Sequence, residues 1–338
     1  MLTLLREEVS RSHDRALGIM DFRYAPIALG DTVTWLTKLQ VLARSHGVKK
    51  IEVLISVPPY GWLSQYVTSY NYVEAVQNIL PAFLCAPMMS SLRVYSSPTN
   101  AASAQRILGS LLARAPSWPS LFSHFRRNLD YQSHFKINEF FRRHQWIPKL
   151  ASPKGFRAET EAFKKTHIGG RTPVVINIRQ SALTGTPATL MRDSPADVWH
   201  EFLVRAQKLW PCVVFVLVGD FSAWERRIGL LPNVLVPRVF GYGLGHELTL
   251  LLDGSPFFGS SSGFAAVATF SDVPYCITRF QYGASGYMKG MGFSHGSDHY
   301  PFAAANQWLS WVPETVDLLV DLFARLWNIC RPAERWRQ

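Results

Sequence analysis

From Pro173 to Ile277 the chain alternates between two hydrophobic periods, and this alternation constrains its fold more than any other feature. Apolar runs at Pro173–Arg179, Cys212–Val218, Asn233–Val236, Pro256–Gly259 and Pro274–Ile277 have the length and residue types of buried strands. Between them, Pro195–Leu209, Trp224–Ile228, His246–Leu252 and Phe264–Phe270 carry helical spacing or helix length. Strands joined by crossover helices form a parallel sheet with right-handed connections, and such sheets take ligands at the carboxyl ends of their strands. Further on, Asn306–Trp311 reads as a loop and Pro313–Ile329 as an amphipathic helix.

The first half is less regular. An apolar segment from Ala25 ends at Gly30-Asp31, and a helical pattern with Val33, Leu36, Leu39 and Val41 runs to the stop signal His46-Gly47. The strand-like run Ile51–Ile55 follows, so the opening reads as a βαβ unit with a sharp turn at Gly30 and with Asp31 or Thr32 capping the helix. Beyond it, 73–84 reads as helix, 92–95 as strand and 101–114 as helix. Turn residues are dense between Trp146 and Thr172. The fold class is therefore α/β with two Rossmann-like domains: 1–160, 171–312, and a terminal helix at 313–338 that would brace the first domain.

With 338 residues, 48% hydrophobic and 17% charged, the chain can bury two cores, which excludes wholesale disorder. The N-terminal segment carries Arg6, Glu7, Glu8 and Arg11 where an export signal needs an apolar core. The longest apolar run, Leu209–Val218, is about half of the ~20 residues that cross a bilayer. Cys85, Cys212, Cys276 and Cys330 are too scattered for a metal or disulfide framework. They read as small hydrophobes in a reducing cytoplasm. A net charge of +11 invites a nucleic acid, an anionic membrane face or a phosphorylated substrate. The densest basic stretch, Arg126–Lys165, is interleaved with Phe135, Phe140, Phe141 and Trp146. That pattern suits either docking on an anionic bilayer or a solvated helix face with its aromatics packed inward. It contains no recognisable nucleic-acid module.

Chemistry concentrates at the predicted strand ends. In Gly259-Ser260-Ser261-Ser262-Gly263, small residues allow close backbone approach, and serine hydroxyls with helix N–H groups make a place for a diphosphate. A plain serine N-cap would leave the same signature. Arg179 ends the first strand of the second half and could offer its fork to phosphate, or pair with Asp193 or Asp220. Gly219-Asp220 follows the second strand, and His246-Glu247 opens the next helix. Glu247 could equally complement the helix dipole, and Asp220 a turn. His295, Asp298 and His299 read as a polar loop rather than a metal cluster.

The order Val213 to Gly219-Asp220, Val234 to Gly241, His246 to Leu252, Phe257 to Gly263 and Asp272-Val273-Pro274 resembles the donor domain of GT-B glycosyltransferases, most closely the lipopolysaccharide heptosyltransferase type. The matching stretch covers roughly a third of the chain. The resemblance implies a GT-B architecture with the cleft between the two domains and a nucleotide-sugar donor on the second. Its acceptor would be glycan or lipid-linked, and the work would be done without metal or cofactor at the inner face of the cell membrane. Gly30-Asp31 resembles the family's acceptor-side loop, giving Asp31 the role of general base with Gly30 and Thr32 beside it. Two departures stand out: Ser261 occupies the place of the family's usual aspartate, and the basic pair common in its acceptor domains is missing. Asn177-Ile178-Arg179 is instead similar to the fucosyltransferase motif that places arginine on the donor diphosphate. A binding protein that keeps the donor domain without transferase chemistry is the alternative.

Overall fold

A computed structural model describes residues 15–22, 25, 27–56, 72–95, 117–118, 134–180, 193–219, 225–280, 292 and 294–330. They form two compact units, Met1–Lys149 and Leu150–Gln338.

The first unit contains a parallel sheet of order β3-β2-β1-β4, built from β1 (Arg15–Asp21), β2 (Lys50–Ser56), β3 (Met89–Tyr95) and β4 (Ser117–Trp118). Its described helices are α1 (Leu29–Ser45), α2 (Tyr72–Phe83) and α3 (Phe135–His144). The opening strand is thus Arg15–Asp21, upstream of the apolar segment at 25–31. Gly18 at its centre is a packing requirement: a Cβ there would lie 2.4 Å from Leu39 Cδ2 and 2.6 Å from Trp35 Cη2. The helix α1 therefore lies against bare strand backbone. Its N-cap is Ala28, with no side-chain cap bond, and not Asp31 or Thr32. Those two fall inside the first turn, where Asp31 is half-buried and Thr32 fully buried. Across the strands, buried Glu52 of β2 receives Arg15 of β1 at 2.6 Å and Arg93 of β3 at 3.1 Å. The expected helix at 101–114 lies outside the described residues.

The second unit holds a six-stranded, all-parallel sheet of order β10-β9-β8-β5-β6-β7. Its strands are β5 (Thr172–Asn177), β6 (Val213–Leu217), β7 (Val234–Leu235), β8 (Phe257–Ser260), β9 (Tyr275–Thr278) and β10 (Gln307–Leu309). Its described α-helices are α4 (Arg157–Phe163), α5 (Ala196–Leu209), α6 (Leu244–Leu252), α7 (Gly263–Thr269) and α8 (Val316–Cys330). Short 3₁₀ turns at Arg226–Leu230 and Pro237–Phe240 flank β7. All five strands expected from the sequence are present; the sixth, β10, sits where a loop was expected. Residues 150–170, which carry the turn signals, belong to this unit.

One core lies on the α5/α8 side of this sheet. Trp199, Phe202, Phe215, Phe258 and Phe323 are fully buried there and meet edge to face or tilted, with centroids 5.1–5.9 Å apart. Rings in such contact add about 1 kcal/mol per pair beyond the area they bury. The terminal helix α8 buries Leu319, Phe323, Leu326 and Trp327 in this core. Of the cysteines, Cys85 and Cys276 are buried as expected, whereas Cys212 is exposed because β6 begins one residue later.

Candidate functional site

In the second sheet the chain runs outward from the central strand β5 to β6 and β7, then returns to β8 on the other side of β5 and continues outward. The strand order reverses between β5 and β8. At such a switch point the two crossovers leave toward opposite faces of the sheet and open a crevice above the carboxyl ends of the strands. Asn177 pairs with Gly259 at this edge, so the residues that follow, Ile178-Arg179 and Ser260-Ser261-Ser262, flank the crevice.

The Arg179 backbone N–H donates to Ser260 Oγ at 2.8 Å, and the Ser260 hydroxyl lies 3.3 Å from the Asn177 carbonyl it donates to. Ser260 therefore couples the two strand exits. Ser262 is the N-cap of α7 and accepts from Ala265 N–H at 3.2 Å. The capping alternative seen in the sequence is thus real for Ser262, with Gly263 as first helical residue. Ser261, between them, is buried. The Arg179 side chain is partly buried and its Nε lies 3.2 Å from Asp193 Oδ1, one of the two pairings foreseen for it.

On the β6 side of the crevice Gly219 has φ of +140°, and a Cβ there would come within 2.4 Å of Asn177 Nδ2. That amide donates to the Val218 carbonyl at 2.6 Å. Only glycine lets the strand exits close this tightly. The Gly219 N–H reaches the carboxylate of Glu247, and Arg238 grips the same carboxylate with Nε and Nη2, each at 3.0 Å. Glu247 is fully buried. Burial pushes its carboxyl above the usual carboxylate range, while Arg238 and Gly219 pull the other way.

His246, though adjacent in sequence, points elsewhere. Successive residues of a helix project about 100° apart, and the His246 Nε2 lies 2.6 Å from Glu159 of α4, with its ring on Phe156 and Tyr242. The structure therefore brings Arg179, Gly219, Glu247 and Ser260–Ser262 to one sheet edge and places His246 in a helix contact. Asp220 lies outside the described residues. Gly30, Asp31 and Thr32 are in the first unit, in the opening turn of α1.

Two residues of this edge were not singled out from the sequence. Arg279 directly follows β9, on the opposite flank of the serine turn from Arg179, and is half-buried with φ of +47°. A non-glycine residue held in the left-handed region carries strain, and such positions concentrate at ligand sites. Arg238, in the 3₁₀ turn after β7, is the partner of Glu247. No sequence signal marked either, since neither a lone arginine after a strand nor one in a turn has a distinctive pattern. His295 packs on Trp311 and His299 Nδ1 lies 2.5 Å from Asp298. Among the described residues no group of three or more His, Cys, Asp or Glu could hold a metal ion.

Two Rossmann-like α/β units with parallel sheets give a GT-B fold to this chain. Solved structures of that fold superpose over nearly its whole length. The family 9 glycosyl transferase from Veillonella parvula gives a TM-score of 0.60 at 12% identity, covering 94% of this chain and 98% of its own. The E. coli ADP-heptose lipopolysaccharide heptosyltransferase II gives 0.57 at 14%, covering 93% and 99%. The E. coli heptosyltransferase WaaC with ADP gives 0.51 at 10%, covering 92% and 99%. No protein-family model and no curated protein matches the chain.

Proposed function

We propose that this protein is a glycosyltransferase that moves a sugar from a nucleotide-sugar donor to a glycan or lipid-linked acceptor. The observation that carries the reading is the convergence of Arg179, Gly219 and the serine turn on the β5–β8 switch point, where α/β sheets of this order bind nucleotides. The fold it shares with a heptosyltransferase solved with ADP supports a nucleoside diphosphate there.

In the proposed reaction the acceptor hydroxyl oxygen bonds to the anomeric carbon, and the bond from that carbon to the diphosphate oxygen breaks. The diphosphate leaves with the electron pair, and the acceptor proton passes to the Asp31 carboxylate. Arg179 and Arg279 offset the charge that develops on the leaving group. The scheme uses no metal or organic cofactor. Arg142 and Arg143 on α3, together with exposed Phe135 and Trp146, supply the basic and apolar surface for a peripheral contact with an anionic membrane at its cytoplasmic face. No described helix is long and apolar enough to cross one.

The test is a thermal-shift panel of ADP, GDP, UDP and CMP and their sugars, because a ligand that binds only the folded state raises its apparent stability. Absence of a shift with every nucleotide at millimolar concentration refutes the donor site. With the binding nucleotide in hand, Asp31→Asn is expected to abolish transfer and leave binding intact, and Arg179→Ala to weaken both. If no transfer is found and Asp31→Asn is silent, the protein is a binder without transferase chemistry.

A further inference from the structure

Glu314 lies just before α8 and is 5% exposed. Its Oε1 accepts two hydroxyl bonds, from Thr278 at 2.5 Å and from Ser194 at 3.1 Å. Thr278 is the last residue of β9 and pairs with Ser260. Ser194 donates its N–H to the Arg179 carbonyl at 2.9 Å, and its neighbour Asp193 holds the Arg179 side chain. One carboxylate oxygen thus joins the exits of the two strands that flank β8. The Trp199 indole and Arg279 also face this carboxyl. Oε2 is buried with no hydrogen-bond partner.

A carboxyl group is an expensive choice for such a place. Burial drives its proton affinity above the usual carboxylate range, and an amide or hydroxyl would accept the same two bonds with less desolvation. Mere filling of the core does not call for a buried oxygen that accepts from two hydroxyls on different strand exits. Its two donors lead into the two segments that carry arginines beside the serine turn.

We propose that Glu314 is a positioning residue for Arg179, fixing the Asp193-Ser194 segment against the exit of β9 and so holding the guanidinium beside the serine turn. Its role in ligand binding rests on the donor-site reading, whereas its hold on Arg179 does not.

Two measurements on the full chain test it. The first is a thermodynamic cycle with ADP as probe, read by calorimetry. Glu314→Ala is expected to weaken ADP about tenfold, and Glu314→Gln, which keeps an acceptor oxygen, by less than about threefold. In an Arg179→Ala background Glu314→Ala should bring no further loss. Equal losses in both backgrounds mean a structural role only and overturn the proposal. The second needs no nucleotide: solvent exchange of the Arg179 Nε–Hε proton by NMR, assigned through its disappearance in Arg179→Ala. Exchange should accelerate in Glu314→Ala and in Ser194→Ala, the milder variant should the first not fold, and stay unchanged in Glu201→Ala, which breaks the remote Arg205–Glu201 pair. Unaltered exchange in Glu314→Ala or Ser194→Ala overturns the proposal. A wild-type protein that ignores ADP counts against an ADP donor site, and the exchange measurement still decides the fate of Glu314.

Discussion

Arg179 and Ser260 are 81 residues apart in the chain, yet the backbone N–H of one is bonded to the hydroxyl of the other at 2.8 Å. This bond spans the line where the strand order reverses. It makes Ser260 a structural partner of the arginine as well as a member of the serine turn.

Ser260→Ala should therefore destabilise the second unit. The Arg179 N–H loses its acceptor at a mostly buried place, which costs about 1–3 kcal/mol. Urea unfolding followed by fluorescence measures the loss. A change below the resolution of that experiment would mean that water replaces the hydroxyl.

Arg238→Ala strands a buried carboxylate. Removing one partner of a buried ion pair costs about 3–5 kcal/mol, and the lower end applies because Arg238 is one-third exposed. The loss should depend on pH. Burial raises the folded-state pKa of Glu247 above its unfolded value, so between the two the folded state holds more protons and stability falls as pH rises. Without the guanidinium that window widens. The difference between variant and wild type should be greatest near neutrality and shrink as acid protonates Glu247, as read from denaturation midpoints across a pH series.

Gly219→Ala and Gly254→Ala separate crowding from backbone strain. Both glycines have positive φ, +140° and +101°, but only at Gly219 would the new methyl collide, with Asn177 Nδ2. Gly254 has open space around it. The Gly254 variant should lose about 1 kcal/mol and the Gly219 variant at least about 2 kcal/mol. Nucleotide binding should fall only in the second.

Arg279→Gly is expected to relax the backbone and impair the site. Relief of a left-handed non-glycine residue is worth about 1 kcal/mol, partly offset by the greater freedom of glycine in the unfolded chain. Because the lost guanidinium also faces the buried Glu314 carboxyl, that gain is offset further, and calorimetry should show only a small net change in stability together with weaker nucleotide binding. Weaker binding is absent if Arg279 does not contact the ligand.

The second sheet was largely legible because its strands are short apolar runs set between turn residues, as in Val213–Leu217 ahead of Gly219. β10 was hidden because Gln307-Trp308-Leu309 begins with a polar residue. The Gln307 amide is spent inside the fold, donating to the carbonyls of Ser271 and Val273 and accepting from Ala304. β1 was hidden by Gly18, which weakens a strand in isolation and is required there by Trp35 and Leu39 of α1. At the site, Gly219 and the serine turn could be read from local pattern. The division of labour between His246 and Glu247 could not, because it depends on Glu159 and Arg238, residues brought close only by tertiary packing.

The reversal of strand order also carries a kinetic consequence. β5, β6 and β7 are joined by successive crossovers, whereas β8 reaches β5 only after the intervening chain has folded back past them. Pairing across so long a loop carries a large closure entropy and tends to come late in folding. The crevice is created by that late pairing. A nucleotide bound across it would act as a clasp on the seam, slowing the separation of β5 from β8, so that its presence should show most clearly in the unfolding rate.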